Sequence, residues 1–213
     1  MENNMTNAFT KAMEFRHACK LFDETKKISD EEMRYILEAG RKSPSSFGME
    51  AWKFLVITND DLKSKLRPHC WNQPQITSCS HLVVVLAGIE NVKVESGIPE
   101  KRFLRREMPQ EKLDFYLNKY ASHLEKTLSS DENIYCWTAR QSYIAAGNMM
   151  TAAAFVGIDS CPIEGFEKEK VEAALELDTG SYQVAMLLTF GYRVNEQSKQ
   201  LRLPFDEVVE FID

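Results

Sequence analysis

Ser43-Pro44-Ser45-Ser46-Phe47-Gly48-Met49-Glu50-Ala51-Trp52 is the stretch on which the reading of this chain turns. Upstream of it, residues 30–42 carry Met33, Ile36, Leu37 and Gly40 along one helical face. Ser29 and Asp30 are both N-cap candidates, and Glu32 stands three residues after Ser29, the spacing of a capping box. Pro44 ends the helix, because the residue before a proline is pushed out of the helical region. Downstream, Trp52-Lys-Phe-Leu-Val-Ile-Thr58 is rich in aromatic and β-branched side chains and reads as a strand. Between helix and strand lie adjacent hydroxyls, a glycine and a carboxylate close to a tryptophan. That chemistry suits the wall of a pocket for a planar polar ligand; a plain helix-to-strand turn uses the same residues.

Working outward, residues 5–18 read as a helix with Met5, Phe9, Ala12 and Met13 on one side. Residues 60–67 open another, which Pro68 ends or interrupts. His81-Leu-Val-Val-Val-Leu-Ala87 is an apolar run of strand length, buried on both faces. The charge-rich stretch 99–132 reads as helical, with Phe103, Leu104, Leu113, Tyr116, Leu117 and Leu124 inward. A long helix over 137–157, a short strand over 158–163 and a helix over 167–175 follow. Residues 182–190 form the last strong strand, and Leu203 to Asp213 an apolar, acidic tail. Helices outnumber strands without alternating strictly with them, which predicts an α+β fold. No repeat or flexible linker divides the sequence, so one domain over 1–213 is expected.

A net charge of −6 lacks the basic footprint of a nucleic-acid binder, and no such partner is expected. The five cysteines (Cys19, Cys70, Cys79, Cys136, Cys161) are scattered with no C-x-x-C pair, and the N-terminus is too polar for a signal sequence. Both features predict reduced thiols in the cytoplasm. Gln141 to Ile158 contains no charged residue and approaches the length of a membrane span. Gln141, Ser142, Asn148 and Thr151 interrupt it, and Gly147 with five alanines lowers its bulk. It reads as a helix buried in a core or subunit interface, with no membrane partner.

There is no phosphate-binding G-x-x-x-x-G-K-[ST] or G-x-G-x-x-G loop, no H-E-x-x-H and no G-x-S-x-G elbow. Cys79-Ser-His81 and His69-Cys70 lack a second pair, so no metal site is expected. What remains is a set of polar patches. Arg16-His-Ala-Cys-Lys20 carries two cations four residues apart, which either converge on an anion or form a solvated pair. Lys199-Gln-Leu-Arg202 offers further cations before Pro204. Cys161-Pro-Ile-Glu-Gly-Phe166 closes a strand with a turn, where Gly165 permits close approach of backbone to a ligand.

Taken in order, Arg16-His17-x-x-Lys20, Ser43-Pro-Ser-Ser46 with Trp52, Trp71-Asn72, Gly147-Asn148, Pro162-Ile-Glu-Gly-Phe166 and Arg202-Leu-Pro204 resemble the FMN-dependent nitroreductase family. The similarity runs from about Arg16 to Pro204 and is closest to the oxygen-insensitive NAD(P)H nitroreductases; Cys19 and Asp159-Ser-Cys161 look like the RdxA branch. The resemblance implies a nitroreductase-like α+β fold, with a mostly antiparallel central sheet flanked by helices, in an intertwined homodimer holding two FMN at its interface. It also implies a ping-pong mechanism, in which NADPH or NADH delivers hydride to flavin N5. A small nitroaromatic, nitroheterocyclic or quinone acceptor is then reduced in the same space. A flavin reductase or NAD(P)H oxidase, and a flavin-binding redox sensor involving Cys19 and Cys161, are the alternatives.

By matching motifs, the resemblance puts Arg16 and Arg202, with His17 and Ala18 beside them, at the FMN phosphate and ribityl end. A guanidinium fork suits phosphate there. Lys20 is implied near N1 and O2, where negative charge appears on reduction. Pro44, Ser45, Ser46 and Gly48 are implied to reach the flavin held mainly by the other subunit. Asn72 is implied to hydrogen-bond the flavin, and the Pro162-Ile163-Glu164-Gly165 turn to present backbone to N5. Phe115, Tyr116 and Tyr120 are candidate stacking residues; Arg102, Arg105 and Arg106 either attract a phosphorylated donor or form a solvated face. Several positions depart from the family pattern. Ala18 replaces a hydroxyl residue, Gly48 an asparagine and Glu50-Ala51 a Gln-Pro pair. Gln75 replaces a second flavin-contacting lysine, and Gln200 another lysine, for which Lys199 can substitute. Fewer cations imply looser FMN and a weaker nitroreductase.

Overall fold

A computed structural model describes residues 4–212. In chain order the elements are α1 (Asn4–Phe15), α2 (Asp30–Arg41), β1 (Trp52–Ile57), α3 (Asp60–Leu66), the short α4 (Gln75–Ser78) and β2 (His81–Gly88). Then come α5 (Ile98–Leu104), α6 (Gln110–Thr127), α7 (Asp131–Phe155), β3 (Asp159–Ile163), α8 (Lys168–Ala174), β4 (Tyr182–Gly191) and a short α9 (Phe205–Val208). The four strands form one sheet in the order β1-β2-β4-β3, every neighbouring pair antiparallel. This is the α+β arrangement expected from the sequence, a central antiparallel sheet with helices around it.

β2 is buried along its whole length, which explains its unbroken apolar run. Alternate side chains serve opposite layers. Val83 and Val85 pack with Met33 and Ile36 of α2 and Ala146, Met149 and Ala153 of α7. Leu82, Val84 and Leu86 face Leu66, Ile76 and Val171 on the other side. Gly40 of α2 lets the two helices come close: a Cβ there would stand 2.8 Å from Met149 Cγ of α7. α2 begins with the expected capping box, the Ser29 hydroxyl accepting from the Glu32 N–H and the Glu32 carboxylate from the Ser29 N–H. A third cluster, around Phe103, Leu113, Tyr120 and Trp137, joins α5 and α6 to the first half of α7.

Several expectations are corrected. α1 stops at Phe15, so Arg16 to Lys20 is not helical. Instead Ala18 bridges Ser160 in parallel and the Cys19 N–H donates to the Ser160 carbonyl at 3.1 Å. Pairing with β3 there wins over a further helical turn. Ala12 is buried but Phe9 and Met13 are exposed, so the apolar side of α1 is not covered within one chain; the side chain of Met5 lies outside the described residues. The stretch 99–132 is not one helix: it holds α5 and α6, separated by residues 105–109, and the first residues of α7, and Leu104 is exposed. The long helix begins at Asp131, capped by the Ser130 hydroxyl, six residues before the expected start. Of the tail only Phe205–Val208 is helical; Asp213 lies outside the described residues. No helix among the described residues is long and apolar enough to cross a membrane.

The β2–β4 register slips between Val85 and Leu86. Beside the slip, the Val184 N–H donates to Glu172 Oε1 of α8 at 2.9 Å, and Lys168 Nζ lies 3.2 Å from the same oxygen. Glu172 is buried. Glu172→Ala therefore strands a buried N–H, at a cost of about 1–3 kcal/mol. Urea unfolding should show a lower midpoint for Glu172→Ala at unchanged slope, and a smaller drop for Glu172→Gln, which keeps an acceptor.

Candidate functional site

Two segments remote in sequence converge beside the end of β3. The turn after α3 carries Trp71 and Asn72 in the left-handed region, with φ of 53° and 52°. Neither is glycine, so the surrounding contacts must hold this conformation. The Arg67 carbonyl accepts from the Asn72 N–H at 3.1 Å, and Arg67 Nε donates to the Asn72 carbonyl at 3.2 Å. Trp71 is 70% exposed and lies over Gly165, where a Cβ would meet its ring at 2.6 Å. Only glycine admits the indole at that distance.

The Glu164–Gly165 turn is clamped from several directions. The Phe166 N–H donates to the Glu164 carbonyl at 3.0 Å, and Gln73 Nε2 donates to the Gly165 carbonyl at 2.9 Å. The Tyr143 hydroxyl of α7 donates to Glu164 Oε1 at 2.6 Å, and the Glu167 N–H to the His69 carbonyl at 2.8 Å. Burial, then the Glu164 carboxylate, pushes the Tyr143 hydroxyl well above its usual range, so it remains a donor. Among the described residues the Gly165 N–H has no acceptor. The asymmetry is chemically useful: both carbonyls of the turn are engaged, while among the described residues the Glu164 and Gly165 N–H groups are both left to donate.

Pairing of residues 18–19 with β3 brings Lys20 beside Cys161, with Lys20 Nζ 3.5 Å from Cys161 Sγ. Gln75 Nε2 stands 3.9 Å from the same sulfur and donates to Gln73 Oε1 at 2.9 Å. Gln75 is buried behind Lys20. Pro162 and Ile163 complete β3 against Leu188 and Leu187. His17 Nδ1 lies 3.7 Å from Asp159 Oδ1, which also stands 2.6 Å from Arg193 Nη2. The first contact is too long for a hydrogen bond and the second lacks the alignment, so His17 Nδ1 and Asp159 Oδ1 are buried polar atoms without a hydrogen-bond partner.

Arg16 and Arg202 line one cleft with Gln200. Gln200 Nε2 donates to the carbonyls of Met13, Glu14 and Arg16, at 3.1, 2.9 and 2.6 Å. The glutamine thus closes the end of α1 and ties the C-terminal segment, with exposed Lys199, to it. The Ser43–Trp52 stretch forms a tight loop with positive φ at Phe47, Gly48 and Glu50. The Ser46 N–H donates to Gln141 Oε1 at 2.9 Å, the Ser45 hydroxyl accepts from the Glu50 N–H at 2.8 Å, and Pro44 is exposed. Among the described residues, no hydrogen bond or ion pair joins Pro44–Gly48 to Arg16, Lys20 or Gly165 within one chain.

The other candidates divide. Tyr120 is fully buried with its hydroxyl on the Val92 carbonyl, which removes it from stacking, whereas Phe115 is exposed. Arg105 pairs with Glu50 and Arg106 donates to the Phe47 carbonyl at 2.6 Å, so these two cations brace the loop. Sequence reasoning missed Gln73, Tyr143 and the closeness of Trp71 to Gly165. The one local hint was an aromatic residue and asparagine just before Gln73-Pro74.

With this geometry the family is defined. The Nitroreductase family model matches residues 13–192, and the chain belongs to that family. It is 41% identical over 212 residues to "Putative NAD(P)H nitroreductase YfkO" of Bacillus subtilis (strain 168), covering 94% of this chain and 96% of that one. A protein named "Putative NAD(P)H nitroreductase" from Haemophilus influenzae (strain ATCC 51907 / DSM 11121 / KW20 / Rd) is 42% identical over 205 residues, covering 92% and 93%. Among solved structures, a "putative nitroreductase in complex with FMN" from Exiguobacterium sibiricum 255-15 superposes with a TM-score of 0.82 at 27% identity, covering 95% of this chain and 96% of that one.

Cys19 and Cys161 are buried. Burial raises the Cys19 thiol from 9.0 to about 11 and also raises Cys161, where the nearby Lys20 ammonium only partly opposes it. Both stay protonated near neutrality, because a raised pKa moves thiolate formation to higher pH. Iodoacetamide at pH 8 should label neither residue until denaturant is added; rapid labelling of either in the folded protein would contradict their burial.

Proposed function

We propose that the chain is an FMN-dependent NAD(P)H oxidoreductase working by a ping-pong cycle on small nitroaromatic, nitroheterocyclic or quinone acceptors. The observation that carries this reading is the Gly165 N–H, unpaired among the described residues, on a clamped turn that follows β3, the strand whose Cys161 meets the Lys20 ammonium. The donor set fits the cofactor. Arg16 and Arg202 share a cleft suited to a phosphate, and Asn72 offers an amide from an exposed turn. When bound, FMN supplies the two-electron chemistry, taking hydride from NADPH or NADH and passing reducing equivalents to the acceptor. The chain's own residues bind and orient. Arg16 and Arg202 would neutralise its phosphate, Lys20 would place positive charge where negative charge develops, and the Gly165 N–H would supply a fixed hydrogen-bond donor to the flavin. Trp71, flat over Gly165, walls the same space.

The working unit in this reading is a homodimer. Phe9 and Met13 of α1 and Ile144 and Phe155 of α7 leave apolar surface uncovered, and Leu201, Leu203, Phe205, Phe211 and Ile212 of the tail are exposed too. Surface of that kind marks an interface. A second copy covering it would also bring its own Pro44–Gly48 loop to this site, completing what one chain leaves open.

Purified protein supplemented with FMN should bind it, and anaerobic titration should bleach the bound flavin with about one equivalent of NADPH. Binding without bleaching would favour a sensor, and no binding would sink the reading. Arg16→Ala and Arg202→Ala should each weaken FMN binding about 10- to 100-fold, the loss of a charge-assisted hydrogen bond. Light scattering should give twice the 24.5 kDa chain mass, falling toward one chain when residues after Gln200 are removed.

A further inference from the structure

Gln73 was no candidate in the sequence, carries no charge and lies on no catalytic motif. Its amide nevertheless joins two otherwise separate parts of the site. Nε2 donates to the Cys70 carbonyl at 3.1 Å and to the Gly165 carbonyl at 2.9 Å. Two carbonyl acceptors fix the amide's orientation, since Oε1 could not face either of them. Oε1 is thereby turned to Gln75 Nε2 at 2.9 Å. Gln75 Nε2 continues to Cys161 Sγ at 3.9 Å, which accepts from Lys20 Nζ at 3.5 Å. The result is one polar chain from Lys20 through Cys161, Gln75 and Gln73 to Gly165.

We propose that Gln73 is a positioning residue for hydride transfer, aiming the Gly165 N–H and, through buried Gln75 and Cys161, setting where the Lys20 ammonium rests; this rests on the flavin reading above. Three features support it. The Glu164–Gly165 peptide has its carbonyl held by Phe166, so the direction of its N–H depends on how the following Gly165 carbonyl is pinned. Gln73 is the side chain that pins it. Gln75 is buried and uncharged, so its amide transmits orientation without placing a second cation next to Lys20. Finally, the Trp71 ring closes over Gly165 from the turn that carries Gln73, so a displaced Gln73 disturbs both.

The test uses full-length protein loaded with FMN. Stopped-flow reduction by NADPH is compared for wild type, Gln73→Met, Gln73→Glu and Gln75→Leu, alongside each variant's FMN dissociation constant and thermal midpoint. Gln73→Met removes the donor at similar size, Gln73→Glu turns a carboxylate on the Gly165 carbonyl, and Gln75→Leu breaks the chain one step further out. The expected result is flavin reduction slower by about 10- to 100-fold in both Gln73 variants, the range a misplaced reacting group costs, with FMN binding changed far less. Gln75→Leu should slow reduction in the same direction but by less. Reduction at the wild-type rate in the Gln73 variants overturns the proposal. So does parallel loss of FMN binding and thermal stability in both the Gln73 variants and Gln75→Leu, which would mark a merely structural role. A wild type that neither binds FMN nor bleaches would instead defeat the functional reading itself.

Discussion

Burial of the β2–β4 pair between two helical layers is the constraint on which the rest of the structure depends. With both faces covered, every second side chain of β2 must suit a different layer, and only apolar, β-branched or leucine residues satisfy both. The alanines of α7 are the complementary requirement, since a bulkier helix would stand off the sheet and off α2, which packs beside it on the same face of β2. One irregularity is tolerated, at the slip by Val184, where a buried glutamate answers the displaced amide.

The site follows from how this core ends. β3 is an edge strand, and its free side is taken by the segment after α1 at Ala18 and Cys19. That pairing carries Lys20 to Cys161. Beyond Ile163 the chain leaves the sheet in a turn that no strand partner can hold, so side chains hold it instead. Gln73, Tyr143 and the Trp71 ring supply that restraint from the turn after α3 and from α7. Gln73 engages the Gly165 carbonyl and the Phe166 N–H the Glu164 carbonyl, which leaves the Gly165 amide open and makes a structural necessity available to chemistry.

Much of the fold was legible because its signals are local. The capping box at Ser29, the uninterrupted apolar β2 and the small-residue composition of α7 each state their own structure in adjacent residues. Arg16 to Lys20 misled for the opposite reason: its i, i+4 cations obey a helical spacing, but the competing partner, Ser160, is far away in sequence. Phe9 and Met13 show the same limit in reverse, since their apolar spacing is helical while the surface that would cover them is not in the chain's own core. At the site, motif matching singles out residues by their charge or backbone access. It passed over Gln73 and Tyr143, whose importance lies in hydrogen bonds to Gly165 and Glu164 across 92 and 21 positions. No composition or periodicity encodes such contacts.

The most direct measurement is the 15N chemical shift of flavin N5 in isotopically labelled FMN bound to the wild-type protein. A hydrogen bond from a fixed amide should move N5 upfield from its value in an aprotic solvent, and the shift should be single and sharp because the turn is held from several sides. An N5 resonance at the position of an unbonded flavin would contradict the assignment of the Gly165 N–H, and with it the central reading of the site.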